Sequence, residues 1–376
     1  MKIVHIITGL GDGGAEHTLF KICKYDKLNK HVVISFRKGG KYLKLLNNLA
    51  VKVHVLDANF FSLNKFFILV NLLRSLKPDI VQTWLVHADF IGGIASKIAG
   101  INNVIWNIRY SNIDIDKSKF ITNFILIILS KLSFLIPKSI IINSKIAKKI
   151  YTNKGYDNSK LKYIPNGYDL TILKINNDHK KYLKNKYKIK KQIPLLGYVA
   201  RYDLLKDHLN LLKALYLIKI KGKKFICFLV GTNINKNKIL IEQIKKFNLI
   251  NHVKLLGPME NISIIMNSLD IHVQSSKSEG FPNVIAEAMA HKTPCVATSV
   301  GDTSYIMGKS GWLVKPKNST NLAIALERAL DEIRGNNWNK RCNMARTRIK
   351  KKFSIKKMIN SYNQIWLKVY KKNKVD

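Results

Sequence analysis

Short runs of strand-forming residues alternate with stretches of helical length along almost the whole chain, and this alternation limits the fold more than any other feature. In the first half the runs are Lys2–Thr8, His31–Phe36, Val51–Leu56, Ile80–Trp84, Asn103–Ile108 and Ser139–Asn143. In the second half they are Pro194–Ala200, Phe225–Gly231, Val253–Gly257, Ile271–Gln274, Pro294–Thr298 and Gly311–Val314. Strands and helices in alternation build parallel sheets with helices on both faces. Several runs are apolar throughout, as strands buried on both sides must be.

The series restarts after a polar stretch rich in lysine and asparagine, Asn176–Gln192. This predicts an α/β chain of two doubly wound, Rossmann-like domains, residues 1–185 and 186–353. The region after Asn318 reads as helical, and its last part, 354–376, is expected to pack back on the first domain. A chain of 376 residues that is 47% hydrophobic can fill both cores. Ligands of such sheets bind beyond the C-terminal strand ends, which predicts a site in a cleft between the domains.

The formal net charge of +42 attracts polyanions: nucleic acid, anionic lipid headgroups or phosphorylated substrates. Lysines on solvated helix faces account for part of it. Cys23, Cys227, Cys295 and Cys342 form no CxxC pair and fit no zinc spacing, which predicts reduced thiols in the cytoplasm. Met1–Ile7 runs straight into a glycine-rich turn and reads as a first strand, not a signal peptide. Phe120–Pro137 is apolar but interrupted by Asn123 and Lys131, and short for a span of about 20 residues. Lys117, Lys119, Lys138, Lys145, Lys148 and Lys149 flank it. Two readings stand: an interfacial helix on anionic lipid, or a buried domain helix.

Three segments carry candidate chemistry. The first strand ends in Gly9-Leu10-Gly11-Asp12-Gly13-Gly14-Ala15-Glu16, where glycines let backbone N–H groups approach a phosphate or sugar at a helix start. A nicotinamide site needs an acid after the second strand, but Arg37-Lys38-Gly39-Gly40 stands there. Arg201 and Lys206 leave the second domain's first strand just before a helix, and two cations there suit a diphosphate. The third segment is Ser278-Glu279-Gly280-Phe281-Pro282-Asn283-Val284-Ile285-Ala286-Glu287-Ala288-Met289-Ala290. Gly280 permits a tight turn and Pro282 suits a first helical turn. Carboxylates at Glu279 and Glu287 can accept hydrogen bonds from paired hydroxyls. Their plain alternatives are a helix-start acid and a surface residue.

Taken together, the spacing of Glu279 and Glu287, Arg201 and Lys206 upstream, and Gly13-Gly14-Ala15-Glu16 near the start resemble the family-4 retaining glycosyltransferases of the GT-B fold. Tyr163-Ile164-Pro165-Asn166-Gly167-Tyr168-Asp169, Asn143-Ser144, Val300-Gly301-Asp302 and Gly311-Trp312-Leu313-Val314 extend the resemblance over nearly the whole chain. It departs at Ala200, which directly precedes Arg201. The resemblance implies that Arg201 and Lys206 bind the donor diphosphate and that Glu287 holds the nucleotide ribose. It implies that Glu279, with Gly280, Phe281, Pro282 and Asn283, holds the transferred sugar, and that Gly14 belongs to the donor side. It places His87, in Trp84-Leu85-Val86-His87-Ala88-Asp89, beside the reacting sugar, although a lone histidine there is more often structural. Gly13 and Arg109 fall on the acceptor side; Arg109 contacts an acceptor phosphate or pairs with Asp89. The implied reaction moves a hexose or N-acetylhexosamine, with a UDP-sugar favoured, to a surface glycan, on a polyprenyl diphosphate at the cytoplasmic face of an anionic membrane.

Asp114-Ile115-Asp116 is a DxD sequence, but an acidic helix start accounts for it better than a metal site, so neither metal nor cofactor is expected. Two other classes remain in view. A sugar-nucleotide epimerase would turn the donor over without an acceptor. A nucleic-acid binder would explain the charge, but no compact basic motif with interleaved aromatics is present, so no nucleic-acid partner is expected.

Overall fold

The computed structural model describes residues 1–57, 62–109 and 120–372. The chain divides into two compact units. One comprises Met1–Gly167 and the chain from Ile355 onward; the other is Tyr168–Ser354.

The first unit holds a parallel sheet of β1 (Lys2–Ile7), β2 (Lys30–Ser35), β3 (Lys52–Val55), β4 (Ile80–Trp84), β5 (Val104–Ile108), β6 (Ser139–Ile142) and β7 (Leu161–Tyr163). Its order is β3-β2-β1-β4-β5-β6-β7. The apolar runs all became strands; β7, a short Leu-Lys-Tyr segment, has no apolar run to announce it. Ile3, Ile7 and Ile105 pack on one face with the helix Gly14–Tyr25, while Val4, Ile6 and Val81 pack on the other against the helix Leu63–Leu76.

The C-terminal helix Ile355–Lys372 belongs to this unit and places Met358, Ile359, Tyr362, Trp366 and Val369 in its core. Polar bonds fix its register. Trp366 Nε1 donates to Gln82 Oε1 at 2.8 Å, and Asn363 Nδ2 donates to Asp26 Oδ1 at 3.3 Å. Beneath it runs a buried chain of rings. Trp84 Nε1 donates to His5 Nδ1 at 3.2 Å. An indole only donates, so His5 carries its proton on Nε2 and passes it toward His31 Nδ1, 3.0 Å away. His31 Nε2 then donates to Asp26 Oδ2 at 3.0 Å. Burial acts upward on Asp26, but the bonds from His31 and Asn29 outweigh it and hold the carboxyl down to about 2.

The second unit repeats the plan with β8 (Leu195–Val199), β9 (Ile226–Val230), β10 (Val253–Leu256), β11 (Ile271–Gln274), β12 (Cys295–Thr298) and β13 (Trp312–Val314) in the order β10-β9-β8-β11-β12-β13. Every pairing in both sheets is parallel. The polar stretch read as a boundary folds as the helix Asn177–Lys186. Its Leu183 joins the second unit's core, and its Lys180 pairs with Asp270. Tyr168 N donates to Phe353 O at 2.8 Å, closing the unit where the chain enters and leaves.

Candidate functional site

In the second sheet the strand order reverses between β8 and β11, the position where open α/β sheets leave a crevice at their C-terminal edge. The segments leaving these two strands carry Arg201 to Lys206 and Ser275 to Pro282, and hydrogen bonds stitch them together. Lys206 Nζ donates to Glu279 Oε1 at 2.6 Å, and Ser276 Oγ donates to the same oxygen at 2.7 Å. Among the described residues Oε2 takes no bond. The buried Tyr198 hydroxyl lies 2.8 Å from Lys206 O and 3.0 Å from Ser276 Oγ. Lys277 N donates to Leu205 O at 2.7 Å.

Two glycines press these segments into place. Gly301 has φ +55°, and a Cβ there would lie 2.3 Å from Glu279 O and 2.4 Å from Gly280 O. Gly231, at φ +150°, would set a Cβ 2.3 Å from Ala200 O. No side chain larger than glycine's fits either position.

Arg201 is turned differently. Its side chain is 70% exposed, and Nη2 donates to Asp203 Oδ2 at 2.9 Å. Asp203 also accepts from Leu205 N, and these bonds outweigh burial and hold its carboxyl below the usual range. The structure thus brings Lys206 and Glu279 together and pairs Arg201 with a carboxylate of its own loop. The helix begins at Asn283, with Pro282 one residue before it at φ −73°, rather than inside the first turn as the sequence suggested. Phe281 is buried against Phe353, and Asn283 Oδ1 accepts from Tyr168 OH at 2.7 Å. Glu287 lies half-buried in this helix, so it is not a plain surface residue.

In the first sheet the reversal falls between β1 and β4. β1 feeds the glycine loop, and the helix Gly14–Tyr25 starts at Gly14 with Gly13 at its cap. Gly13 carries the Glu16 carboxylate close over it: a Cβ would lie 2.4 Å from Oε2. Burial raises Glu16 from its ordinary value. Gly40, at φ +105°, would place a Cβ 2.1 Å from Leu10 O, so the Gly39-Gly40 turn braces this loop. β4 ends in Leu85 at φ +73° and ψ 158°, a region nearly restricted to glycine, and His87 follows in the first turn of the helix Val86–Ile98. Asp89 is buried; Oδ1 accepts from Thr83 Oγ1 at 2.5 Å, and burial raises its carboxyl to about 7.

Arg109 does not pair with Asp89. Nε donates to Asn107 Oδ1 at 2.9 Å, Nη1 to Asn166 Oδ1 and Nη2 to Tyr362 OH at 2.5 Å, with the guanidinium 5.5 Å from the Trp84 ring. All these partners are neutral, so among the described residues no carboxylate neutralises the cation. Sequence reasoning missed Ser276 and the bracing hydroxyl of Tyr198, and it quoted Gly301 and Leu85 within motifs without their roles in holding the candidates. Asp114 to Asp116 lie outside the described residues.

A separate trio, His5, Cys23 and His31, has ligand atoms close enough for a metal. Neutral imidazole ligating through Nε2 carries its proton on Nδ1, yet His5 Nδ1 accepts from Trp84. The rings are a structural lock.

Residues 179–351 match the family model described as glycosyl transferases group 1. The capsular polysaccharide biosynthesis glycosyltransferase CapM of Staphylococcus aureus is 25% identical, over 90% of this chain and 92% of its own. The Escherichia coli UDP-Gal:alpha-D-GlcNAc-diphosphoundecaprenol alpha-1,3-galactosyltransferase is 26% identical, over 80% of this chain and 78% of its own. Among solved structures, Anabaena Alr3699/HepE in complex with UDP superposes with a TM-score of 0.85 at 22% identity, covering 97% of this chain and 99% of that one. The fold is GT-B, two Rossmann-like domains.

Proposed function

We propose that this chain, whose residues 179–351 belong to the group 1 glycosyl transferases, is a retaining glycosyltransferase. Its donor is a nucleotide-diphospho-sugar, with a UDP-sugar favoured. Its acceptor is a bacterial surface glycan carried on a polyprenyl diphosphate, met at the cytoplasmic face of an anionic membrane. One observation carries the reading: Lys206 and Glu279 are joined at the strand-order reversal of the second sheet. A cation there neutralises a departing diphosphate, and the adjoining carboxylate orients sugar hydroxyls through the open Oε2. Arg201, exposed beside this pair, adds a second phosphate contact. Gly280, Phe281, Pro282 and Asn283 present backbone to the sugar at the helix start. Glu287 holds the ribose.

The first unit supplies the acceptor side. Arg109, fixed by neutral groups, receives an acceptor phosphate, and Gly13 admits the acceptor close to the backbone; Gly14 serves the donor, and His87 stands beside the reacting sugar. Attack on the face from which the diphosphate leaves accounts for retention. A relative named for capsular polysaccharide biosynthesis, and one named for transfer to a diphosphoundecaprenol-linked sugar, support the choice of acceptor. A neighbour solved with UDP and glucose supports the choice of donor.

Two experiments test the reading. Thermal-shift screening against UDP-, GDP- and ADP-sugars should single out one nucleotide, which at a hundred times its dissociation constant adds about 2.7 kcal/mol of stability. Lys206→Ala and Glu279→Ala should each lower transfer by at least about 100-fold with the fold intact. Full activity in both variants, or donor turnover that needs no acceptor, would overturn it.

A further inference from the structure

The first turn of the helix Val86–Ile98 carries a carboxyl at 1% exposure, Asp89, two residues after His87. It accepts from two strands of the first sheet. Thr83 Oγ1, on β4, donates to Oδ1 at 2.5 Å, and the Asn107 backbone N–H, on β5, donates to the same carboxyl. Asn107 holds the turn a second time, since its carbonyl accepts from Leu85 N at 3.3 Å. Its side chain bonds elsewhere: Oδ1 accepts from Arg109 Nε and Nδ2 donates to Tyr362 OH, each at 2.9 Å. One residue of β5 therefore ties the turn that carries His87 to the Arg109 guanidinium, and Asp89 joins that residue to β4.

The backbone explains why such an anchor is needed. Leu85 stands just before His87 at φ +73°, and a turn of that kind persists only where surrounding bonds impose it. Burial raises the Asp89 carboxyl to about 7, against the bonds from Thr83 and Asn107, which favour the anion. Charged or titratable side chains on the elements around it include Lys65 and Arg74 on the helix Leu63–Leu76, Lys131 on the helix Phe120–Leu132, and His5 on β1. Burial, and then the Asp89 charge, raise the Tyr156 phenol, so that group stays neutral. Among the described residues no lysine or arginine is paired with Asp89, so hydrogen bonds rather than a counter-charge hold its anion.

We infer that Asp89 is a positioning residue for sugar transfer: its carboxyl, by holding Thr83 and Asn107, fixes the strained turn before His87 and, through the Asn107 side chain, the Arg109 guanidinium. A carboxylic acid accepts hydrogen bonds more weakly than a carboxylate. Protonation therefore loosens the turn and the arginine together, while Lys206 and Glu279, in the second unit, are unaffected. Transfer accordingly rises as pH passes upward through about 7, where the anion forms. The inference rests on the roles proposed for His87 and Arg109 and names the group that holds both.

The test is the pH profile of kcat for the full chain, from about pH 5.5 to 9. The donor is the nucleotide-sugar that thermal-shift screening selects, and the acceptor probe is diphosphopolyprenol-linked N-acetylglucosamine. Wild-type kcat should rise with a midpoint at about 7. Asp89→Asn keeps the shape without the charge. Its kcat should lose the rise and lie about tenfold or more below the wild type's at the alkaline end, with the donor KM unchanged. Thr83→Val removes one of the bonds that favour the anion, so its midpoint should move upward. Neither change follows from a packing role, which would lower kcat by the same factor at every pH. A wild-type profile in Asp89→Asn, or an unmoved midpoint in Thr83→Val, overturns the inference. Should Asp89→Asn fail to fold by circular dichroism, the Thr83→Val midpoint decides alone. A wild type that moves no sugar at any pH, or that turns the donor over without an acceptor, overturns the proposed function on which the inference rests.

Discussion

Leu85 holds φ +73° and ψ 158° at the end of β4, two residues before His87. A side chain other than glycine's costs about 1–3 kcal/mol there, and such strain persists only where surrounding bonds impose it. Here Leu85 N donates to Asn107 O and Asp89 N donates to Leu85 O. Leu85→Gly should relieve the strain and release the first helical turn. Urea unfolding should then register less destabilisation than the 2–5 kcal/mol typical of a buried leucine truncation, while kcat falls more than KM. Equal loss in both would place His87 outside the reacting centre. His272 is a different residue-scale problem. It is fully buried in β11 with neither ring nitrogen bonded, and burial lowers it to about 3. Its folded pKa lies below the unfolded value near 6.5, so the unfolded chain binds the extra proton as pH falls. Stability is therefore full above pH 6.5 and declines from there toward pH 3, by up to about 1.4 kcal/mol per pH unit. His272→Leu should flatten that slope in denaturant titrations between pH 6.5 and 4; an unchanged slope would assign acid sensitivity elsewhere.

Elements were far more legible in the sequence than the contacts between them. Runs such as Ile80–Trp84 and Ile271–Gln274 announce buried parallel strands because every position is filled by a residue that can be buried. β7 escaped because Leu161–Tyr163 is three residues long with a lysine at its centre. Glu279 and Lys206 stood out from their neighbours, yet the bonds that join their segments, Lys206 to Glu279 and Tyr198 to Ser276, link residues 73 and 78 positions apart, a long-range relation no local pattern encodes. Gly301 illustrates the point. It is visible as a glycine in a turn, but its purpose is the carbonyls of Glu279 and Gly280. Gly301→Ala should push that segment away, because the new methyl meets two carbonyl oxygens and φ is positive. The expected result is a donor dissociation constant raised about tenfold or more in calorimetry, with loss of the thermal shift. A variant that binds donor normally would mean that the segment is held by its hydrogen bonds, such as Asp302 N to Gly280 O at 2.9 Å, and not by the close approach of Gly301.

At the scale of the whole chain, the first unit is not continuous: it is left at Gly167 and completed from Ile355. The sequence suggested a returning tail because only helical patterning follows Asn318, but not what the tail does. It supplies five core side chains, each contributing about 1.5–3 kcal/mol by burial. Their sum is comparable to the 5–15 kcal/mol that separates a folded domain from its unfolded chain. The helix also bonds to residues already read as functional, since the Tyr362 hydroxyl accepts from Arg109. Truncation after Ser354 should therefore unfold the first unit while the second, closed by the Tyr168 to Phe353 bond, keeps its own core. Calorimetry of the truncated chain should give a single transition that nucleotide-sugar still raises, with no transfer activity. Tyr362→Phe provides the finer cut. It removes one hydroxyl, leaves Trp366 and the apolar contacts, and should raise the KM for acceptor without altering donor binding. If truncation leaves the first unit folded, the helix is an accessory. If Tyr362→Phe leaves the acceptor KM unchanged, the helix acts on stability alone and Arg109 owes its position to Asn107 and Asn166.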